Sequence, residues 1–157
     1  MDSKENSQIA SLNAAMSRIK GLYSRWAQQN NINYFALNIL YTLYVEGMAT
    51  QKRISDGFGI PKQSINNVVT TMKKDGLIDL ISNLEDKRVK ELVLTTKGRK
   101  YAKEILSPLM DIENRVVSQM EDIFEQFIST TNIYGDILEQ EMSKADSNVK
   151  GLKDTGK

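Results

Sequence analysis

The sequence predicts a mainly α-helical fold with one small β-hairpin, in the order α-α-α-α-β-β-α-α. Three observations carry this prediction. A helical pattern with heptad-like spacing opens the chain, two short helical patterns and a charged hairpin occupy its middle, and a long helical pattern follows. With 157 residues, of which 40% are hydrophobic, the chain is long enough to bury a core of its own.

The first helix is predicted from about Ser7 to Gln29. Its apolar positions recur at steps of 3, 4, 3, 4 and 3, which is typical of a helix that packs along another long helix. Asn33 can cap a second helix that runs to about Val45 and ends at Gly47. Because that helix is apolar on more than one side, we expect it in the centre of the fold.

Two short helices follow. Thr50 can cap the first of them, in which Ile54 and Phe58 share one apolar face. Gly59 can adopt the positive φ of a tight turn, and Pro61 suits the first turn of the next helix. The buried stripe of that helix is expected at Ile65, Val68, Val69 and Met72. The pair is typical of a helix-turn-helix.

The opposite face of the second short helix carries side chains that suit DNA, because amides can pair with base edges and ammonium groups with phosphates. The residues of this face are Lys62, Gln63, Asn66, Asn67, Thr70 and Lys73. A merely solvated surface is the alternative explanation. Asparagine is a poor interior helix residue, however, so two in succession need a reason other than folding, and base contact supplies one.

A charged hairpin comes next, after Asp75–Gly76 closes the helix. We predict one strand over Leu77–Ile81, a polar tip at Ser82–Lys87 and a return strand over Val89–Leu94. An arginine just after such a tip, Arg88, can reach the narrow and electronegative minor groove. An exposed ion pair between Arg88 and Asp86 is the alternative. A hairpin after a helix-turn-helix forms the wing of a winged helix.

The rest of the chain is predicted to be helical. Thr95 or Thr96 caps a long helix whose apolar positions continue to Phe127, and Pro108 should bend it or mark a joint. A last helix is predicted from about Asn132 to Ser143. The polar tail from Lys144 is expected to be disordered.

Several functional classes are disfavoured by composition. The chain has no cysteine and no histidine, so it has no disulfide, no thiolate or imidazole metal ligand and no imidazole base. We therefore expect no enzyme and no cofactor. The acidic group Glu121, Asp122 and Glu125 could bind a cation, but a solvated face is the simpler interpretation. No apolar run approaches the roughly 20 residues of a membrane span, and the N-terminus has no signal peptide, so the expected location is cytoplasmic.

The net charge of +1 conceals two regions of opposite sign. Thr50–Lys103 contains 12 basic and 6 acidic residues, a net charge of +6. Glu104–Asp146 contains 2 basic and 10 acidic residues, a net charge of −8. This asymmetry predicts that the middle of the chain faces a polyanion and that the C-terminal part faces away from it.

These segments resemble the MarR family of bacterial transcription regulators over roughly residues 5–143. The most specific part is Asn83–Ala102, since the family typically has an acidic residue, a spacer and an arginine at the wing tip, then a strand ending in Leu-Thr-x-x-Gly. The matching residues here are Asp86, Lys87 and Arg88, then Leu94, Thr95, Thr96, Lys97 and Gly98. The segment Gly59–Ile78 is similar to the family's recognition helix and its basic end.

The resemblance implies a homodimer in which the first and last helices form the dimerisation base. In that organisation residues 1–32 are the N-terminal dimerisation helix, 33–100 the DNA-binding domain, 101–143 the C-terminal dimerisation helices and 144–157 the tail. Arg88 would contact the minor groove, and Asp86 would hold it by a charge-assisted bond. The residues implied to lie on the helix that enters the major groove are Lys62, Gln63, Ser64, Asn66, Asn67 and Thr70.

Many family members bind a small anionic or phenolic effector. Six residues could line such a pocket here, with plain core packing as the alternative: Met16, Tyr23, Trp26, Tyr34, Phe35 and Tyr41. The chain lacks the cysteine of the peroxide-sensing members and the histidines of the zinc-sensing ones. An effector is therefore expected to be a small organic molecule or a protein.

The sequence thus predicts a sequence-specific regulator that binds double-stranded DNA with an inverted-repeat operator, as a homodimeric repressor. Winged helices also serve as protein-interaction modules without DNA binding, and that alternative stays open at this point.

Overall fold

A computed structural model describes residues 3–83 and 86–154, and this part of the chain contains six α-helices and three β-strands. The elements in chain order are α1 (Ser3–Gln29), α2 (Tyr34–Glu46), β1 (Met48–Thr50), α3 (Gln51–Phe58), α4 (Lys62–Lys74), β2 (Ile78–Ser82), β3 (Lys90–Leu94), α5 (Thr96–Met120) and α6 (Asp122–Asp154). The predicted mainly helical fold with a hairpin wing is confirmed. The chain divides into two compact units, Met1–Pro108 and Leu109–Lys157.

Helix α2 forms the centre of the first unit, as its apolar pattern predicts. Leu37, Ile39, Leu40 and Leu43 are at most 2% exposed. Asn33 caps the helix, since its Oδ1 accepts hydrogen bonds from the backbone N–H groups of Phe35 and Ala36. Gly47, with φ 86°, ends it.

The helix-turn-helix is formed by α3 and α4. The Thr50 hydroxyl accepts from the Arg53 N–H at 3.1 Å, which confirms the predicted cap. Gly59 has the predicted positive φ, 60°, and the buried Ser55 hydroxyl fixes the turn by donating to the Ile60 carbonyl at 2.6 Å. Two expectations need correction. Pro61 lies just before α4 rather than in its first turn, and Phe58 is 41% exposed rather than buried beside Ile54.

The three strands form one antiparallel sheet in the order β1-β3-β2. The hairpin of β2 and β3 was predicted, with strand bounds shifted by one residue, whereas β1 was not. Ala49 of β1 pairs with Leu92 of β3, and both are buried. A three-residue strand has too short a pattern to be recognised in sequence. The predicted tip Ser82–Lys87 is described except for residues 84 and 85.

A compact junction joins the base of the hairpin to α5. The Thr95 hydroxyl donates to the Gly76 carbonyl at 2.7 Å and accepts from the Gly98 N–H at 2.9 Å. Thr95, not Thr96, is therefore the cap. A Cβ on Gly98 would lie 1.7 Å from the carbonyl oxygen of Leu77, so only glycine allows this close approach. The Leu-Thr-x-x-Gly pattern is thus a packing requirement.

The C-terminal helices differ from their predicted bounds. Helix α5 is continuous through Pro108 but ends at Met120, because Glu121 takes a left-handed conformation with φ 47°. Ile123 and Phe127 consequently belong to α6. The last helix, predicted over Asn132–Ser143, spans Asp122–Asp154, so the expected disordered tail from Lys144 is wrong as far as residue 154. None of the helices in the described part of the chain has the length and apolar character needed to cross a membrane.

The junction gives a stability prediction. Gly98→Ala should lower the free energy of unfolding by about 2–3 kcal/mol, because the new methyl group forces the Leu77 backbone away. Urea denaturation followed by circular dichroism measures this. The matched control is Gly57→Ala in α3, where an added Cβ meets nothing within 4 Å and should stabilise by about 0.5–1 kcal/mol. Equal stability of Gly98→Ala and wild type would contradict the role of the junction.

Candidate nucleic-acid interface

Helix α4 separates a buried face from a polar one. Ile65, Val69 and Met72 are at most 4% exposed, while Val68 and Ser64 are half-buried at the edge of the polar face. The predicted contact residues that are exposed are Lys62, Gln63, Asn66, Asn67, Thr70 and Lys73. The helix thus presents amide and ammonium groups on one side while its aliphatic side chains anchor it in the first unit.

The hydroxyl groups of this face are partly committed to the helix itself. Thr70 donates to the Asn66 carbonyl at 2.8 Å, and Thr71 donates to the Asn67 carbonyl at 3.1 Å. Each hydroxyl oxygen therefore offers only its acceptor lone pairs to an outside group. Thr70 can therefore accept a hydrogen bond from an outside donor, but its own proton is already used.

The two asparagines, which the sequence analysis treats alike, have different surroundings. Asn66 is exposed on the side of the helix that also carries Lys62 and Lys73. Asn67 instead lines a cavity of about 430 Å³ on the flank of α4, together with Thr71 and Asp75. Helical spacing explains this, since Asn67 and Thr71 are one turn apart on the same side.

The wing tip is held by a short network that differs from the predicted one. The Asp86 carboxylate does not pair with the Arg88 guanidinium; it accepts from the Arg88 backbone N–H at 2.9 Å. The Asn83 amide oxygen accepts from the Asp86 N–H at 3.0 Å, and the Val89 N–H donates to the Asp86 carbonyl at 2.9 Å. Asp86 therefore shapes the backbone, as aspartate often does in turns. Sequence reasoning missed Asn83, although an asparagine near a turn signals this role.

The charged side chains of the tip remain exposed. Asp86, Lys87 and Arg88 all face solvent. Within residues 3–83 and 86–154, neither Lys87 nor Arg88 has an ion-pair partner. The Arg88 guanidinium, with its planar fork of donors, is thus available to an outside anion.

Other basic residues of the region are already engaged. Lys90 donates to the Ser82 hydroxyl at 2.6 Å, and Lys97 donates to the Asp75 carbonyl at 2.7 Å. Lys52 pairs with Asp56 at 2.7 Å, and this hydrogen bond raises the pKa of the Lys52 ammonium above its ordinary value. Not every lysine in the positive stretch is therefore free to meet a phosphate.

The six residues predicted for an effector pocket are not gathered around one cavity. Met16 on α1 is 47% exposed, and Tyr23 and Trp26 are half-buried on the same helix. Tyr34 and Phe35 are half-buried at the start of α2, with ring centroids 6.0 Å apart. Tyr41 lines a cavity of about 240 Å³ between α2 and α3, and none of the other five lines that cavity or the one of about 430 Å³ beside α4.

The described residues contain no group of three or more acidic, histidine or cysteine side chains arranged to hold a metal ion. The acidic side chains Glu121, Asp122 and Glu125 are all exposed.

Comparison with known proteins agrees with the fold and with the wing. A model of the MarR family matches residues 31–89. The structure of NMB1585, a MarR family regulator from Neisseria meningitidis, is 27% identical, covers 87% of this chain and 97% of its own, and superposes with a TM-score of 0.77. This chain is thus similar to MarR family regulators in its fold, and the family model matches its helix-turn-helix and the first part of its hairpin. No curated protein sequence matches it significantly.

Two more distant structures share the fold of this chain. Staphylococcus aureus MarR, in complex with salicylate and kanamycin, is 23% identical with a TM-score of 0.64 and covers 89% of this chain and 95% of its own. The transcriptional regulator BldR from Sulfolobus solfataricus is 22% identical with a TM-score of 0.62 and covers 86% of this chain and 99% of its own. MarR family proteins are DNA-binding transcription regulators and not enzymes.

The hydrogen bond of Asp86 predicts a change in duplex affinity opposite to the one that its charge alone would predict. Asp86→Ala removes a negative charge, yet it should weaken duplex binding by about 1 kcal/mol, because the Arg88 backbone loses the acceptor that orders it. A gel-shift titration measures this. The control is Asp79→Ala, an exposed carboxylate on β2, which should leave binding unchanged or slightly stronger. Tighter binding by Asp86→Ala would show that its charge matters more than its hydrogen bond.

Proposed function

We propose that this chain is a sequence-specific, homodimeric repressor that binds an inverted-repeat operator in duplex DNA. The observation that carries the proposal is the presence of two exposed features in one compact unit: the amide and lysine face of α4, and Arg88 at the wing tip. The first suits the major groove and the second the minor groove.

The contacts follow from the chemistry of each side chain. Gln63 and Asn66 each offer a donor and an acceptor, which is what bidentate recognition of an adenine edge needs. Lys62 and Lys73 offer ammonium groups to phosphates, which gives affinity without sequence preference. Arg88 adds a planar cation for the narrow groove. Residues 33–100 are accordingly the proposed DNA-binding domain.

Exposed apolar side chains support the proposed homodimer. Three of the long helices carry them in the isolated chain: α1 at Ile9, Met16, Ile19 and Leu22; α5 at Ile112, Val116 and Val117; α6 at Ile123, Phe127, Ile128, Ile133, Ile137, Leu138 and Met142. Leaving so much apolar surface in water is unfavourable, and a second copy of the chain would cover it. Residues 1–32 and 101–143 are therefore the proposed dimerisation segments.

A two-fold axis determines the form of the operator. Two copies of α4 would enter successive major grooves on one face of the duplex, with centres about 34 Å apart. An effector that favours a dimer with another spacing between these helices would release the DNA. Such an effector acts only through its different affinities for the two states. The complex of S. aureus MarR with salicylate and kanamycin supports a small organic effector for this chain as well.

Selection of bound sequences from random duplex DNA is the decisive experiment. We expect enrichment of a two-fold symmetric motif whose half-sites lie one helical turn apart. A reporter gene placed behind that motif should then be silenced by the protein. Absence of any enriched motif would favour a winged-helix protein-interaction module, and activation of the reporter would overturn the repressor assignment alone.

Arg88 is the most informative single position. Arg88→Ala should weaken binding to the selected duplex by about 1–3 kcal/mol and lower the steepness of the salt dependence by about one unit. Arg88→Lys, which keeps the charge, should recover the salt dependence but not the full affinity. Fluorescence anisotropy at several salt concentrations measures both. Undiminished affinity of Arg88→Ala would remove the wing from the interface.

The dimer gives a separate prediction. Ile137 on α6 is 55% exposed in the isolated chain, and Ile137→Glu should shift the protein from dimer to monomer because it would place a charge in an apolar interface. Sedimentation equilibrium measures the shift. Val45→Glu is the matched control, since Val45 is 58% exposed but lies on α2, outside the proposed interface. If Ile137→Glu stays a dimer, α6 is not part of that interface.

A further inference from the structure

A cavity of about 430 Å³ lies beside α4 in the first compact unit. The turn between α1 and α2, helix α2, helix α4 and the start of α5 all contribute to its walls. Its polar side chains are Asn31, Asn33, Asn67, Thr71, Asp75 and Tyr101. Its apolar walls include Ile32, Leu40 and Met72. The volume suits a small organic molecule.

The charge of this cavity is of one sign. No lysine or arginine lines it, and Asp75 is its only ionisable carboxylate. Among the described residues the Asp75 carboxylate has no ion-pair or hydrogen-bond partner. The Lys97 ammonium donates to the backbone carbonyl of Asp75 and not to its carboxylate. Asp75 also follows the C-terminus of α4, where the helix dipole favours cations. An anion would meet the Asp75 carboxylate here, and no basic side chain is among the residues that line the cavity.

The remaining polar groups can both donate and accept. The Asn33 amide oxygen is occupied in capping α2, so its N–H₂ group remains as a donor. Asn31 and Asn67 have no side-chain hydrogen bond within the described residues. The Thr71 hydroxyl donates to the Asn67 carbonyl and can still accept. Tyr101 adds an aromatic ring, and such rings attract organic cations.

We propose that this cavity binds a small organic ammonium ion. The ammonium group lies at Asp75, within reach of the acceptors of α4, and the apolar part packs against Ile32, Leu40 and Met72. This proposal rests on the proposed regulatory function and assigns its effector a site and a charge. In its charge it differs from the small anionic or phenolic effectors that many members of the resembled family bind.

The site has a direct connection to DNA recognition. Asn67, Thr71 and Asp75 all belong to α4 or its cap, so an occupant touches the helix that is proposed to enter the major groove. No relay through another element is required. An occupant that binds more tightly when α4 is displaced from its DNA-reading position would shift the population away from the DNA-bound form.

Three probes of similar size and different charge test the site on the free protein: benzylammonium, benzyl alcohol and benzoate. The reporter is the methyl resonance of Met72, which lines the cavity and is 4% exposed, in protein labelled with ¹³C-methyl methionine. Met48 on β1, 49% exposed, is the internal control. We expect a saturable shift of Met72 with benzylammonium, a weaker one with benzyl alcohol and none with benzoate. A Met72 resonance that no probe moves, or that benzoate moves equally, overturns the proposal.

A pair of isosteric variants tests the charge. Asp75→Asn should weaken benzylammonium binding about fivefold, the size expected of one partly exposed ion pair. Asp79→Asn, an exposed carboxylate on β2 outside the cavity, should leave it unchanged. Thermal unfolding of both variants checks that they are folded. Equal binding by Asp75→Asn and wild type would overturn the assignment of Asp75.

The effect on DNA is measured separately, so that the two proposals fail in distinguishable ways. Saturating benzylammonium should lower the affinity for the selected duplex, and benzoate at the same concentration should not. Unchanged affinity despite a shifted Met72 resonance would overturn the coupling of the site to α4. If no duplex is bound at all, the proposed function fails, whereas the titration of Met72 still decides the ammonium site.

Discussion

The hydroxyl of Thr95 and the missing side chain of Gly98 together hold the hairpin against the start of α5. The hydroxyl donates to the Gly76 carbonyl at the end of α4 and accepts from the Gly98 N–H, so one side chain links the two helices. The Leu77 backbone lies where a Cβ of residue 98 would be. Because β2 begins at the next residue, the direction of the wing relative to α4 is determined at this junction.

The junction also bears on how the wing tip is positioned relative to the polar face of α4. The side chains of Asn83 and Asp86 accept local hydrogen bonds from backbone N–H groups of the wing tip, and these bonds shape the turn but do not fix its position. Its position depends on strand β3, whose Leu92 is fully buried against the rest of the unit. A rigid base with a locally ordered tip is the arrangement expected for a site that must keep its geometry while exposing its side chains.

Much of the fold could be predicted because the responsible interactions are local. The caps at Asn33 and Thr50 and the positive φ angle at Gly59 depend on a few neighbouring residues, and their chemistry is visible in sequence. Strand β1 could not be predicted, since three residues gain their order from pairing with β3, some 40 positions away in sequence. The break at Glu121 has no glycine or proline to signal it, and a left-handed glutamate is exceptional.

The polar face of the candidate site could be predicted from the sequence, but the hydrogen-bond partners of its side chains could not. Periodicity alone distinguishes the buried from the polar side of α4. It does not tell which of several neighbours a polar side chain will choose. The Asp86 carboxylate accepts from the backbone N–H of Arg88, and pairing with an N–H costs less side-chain entropy than ordering a guanidinium. Likewise, Asn66 and Asn67 look equivalent until the packing beside α4 is known.

Helix α4 is stabilised by one face, which leaves the other face free to serve recognition. Two interior asparagines and two threonines cost the helix about 2 kcal/mol relative to alanine. Burial of Ile65, Val69 and Met72 contributes roughly 1.5–3 kcal/mol for each side chain, so the buried side offsets that cost. The outward residues therefore need not be good helix formers. Changes in what the helix recognises can then be made on that face at little cost to folding, and this holds for its DNA-facing residues and its cavity-facing residues alike.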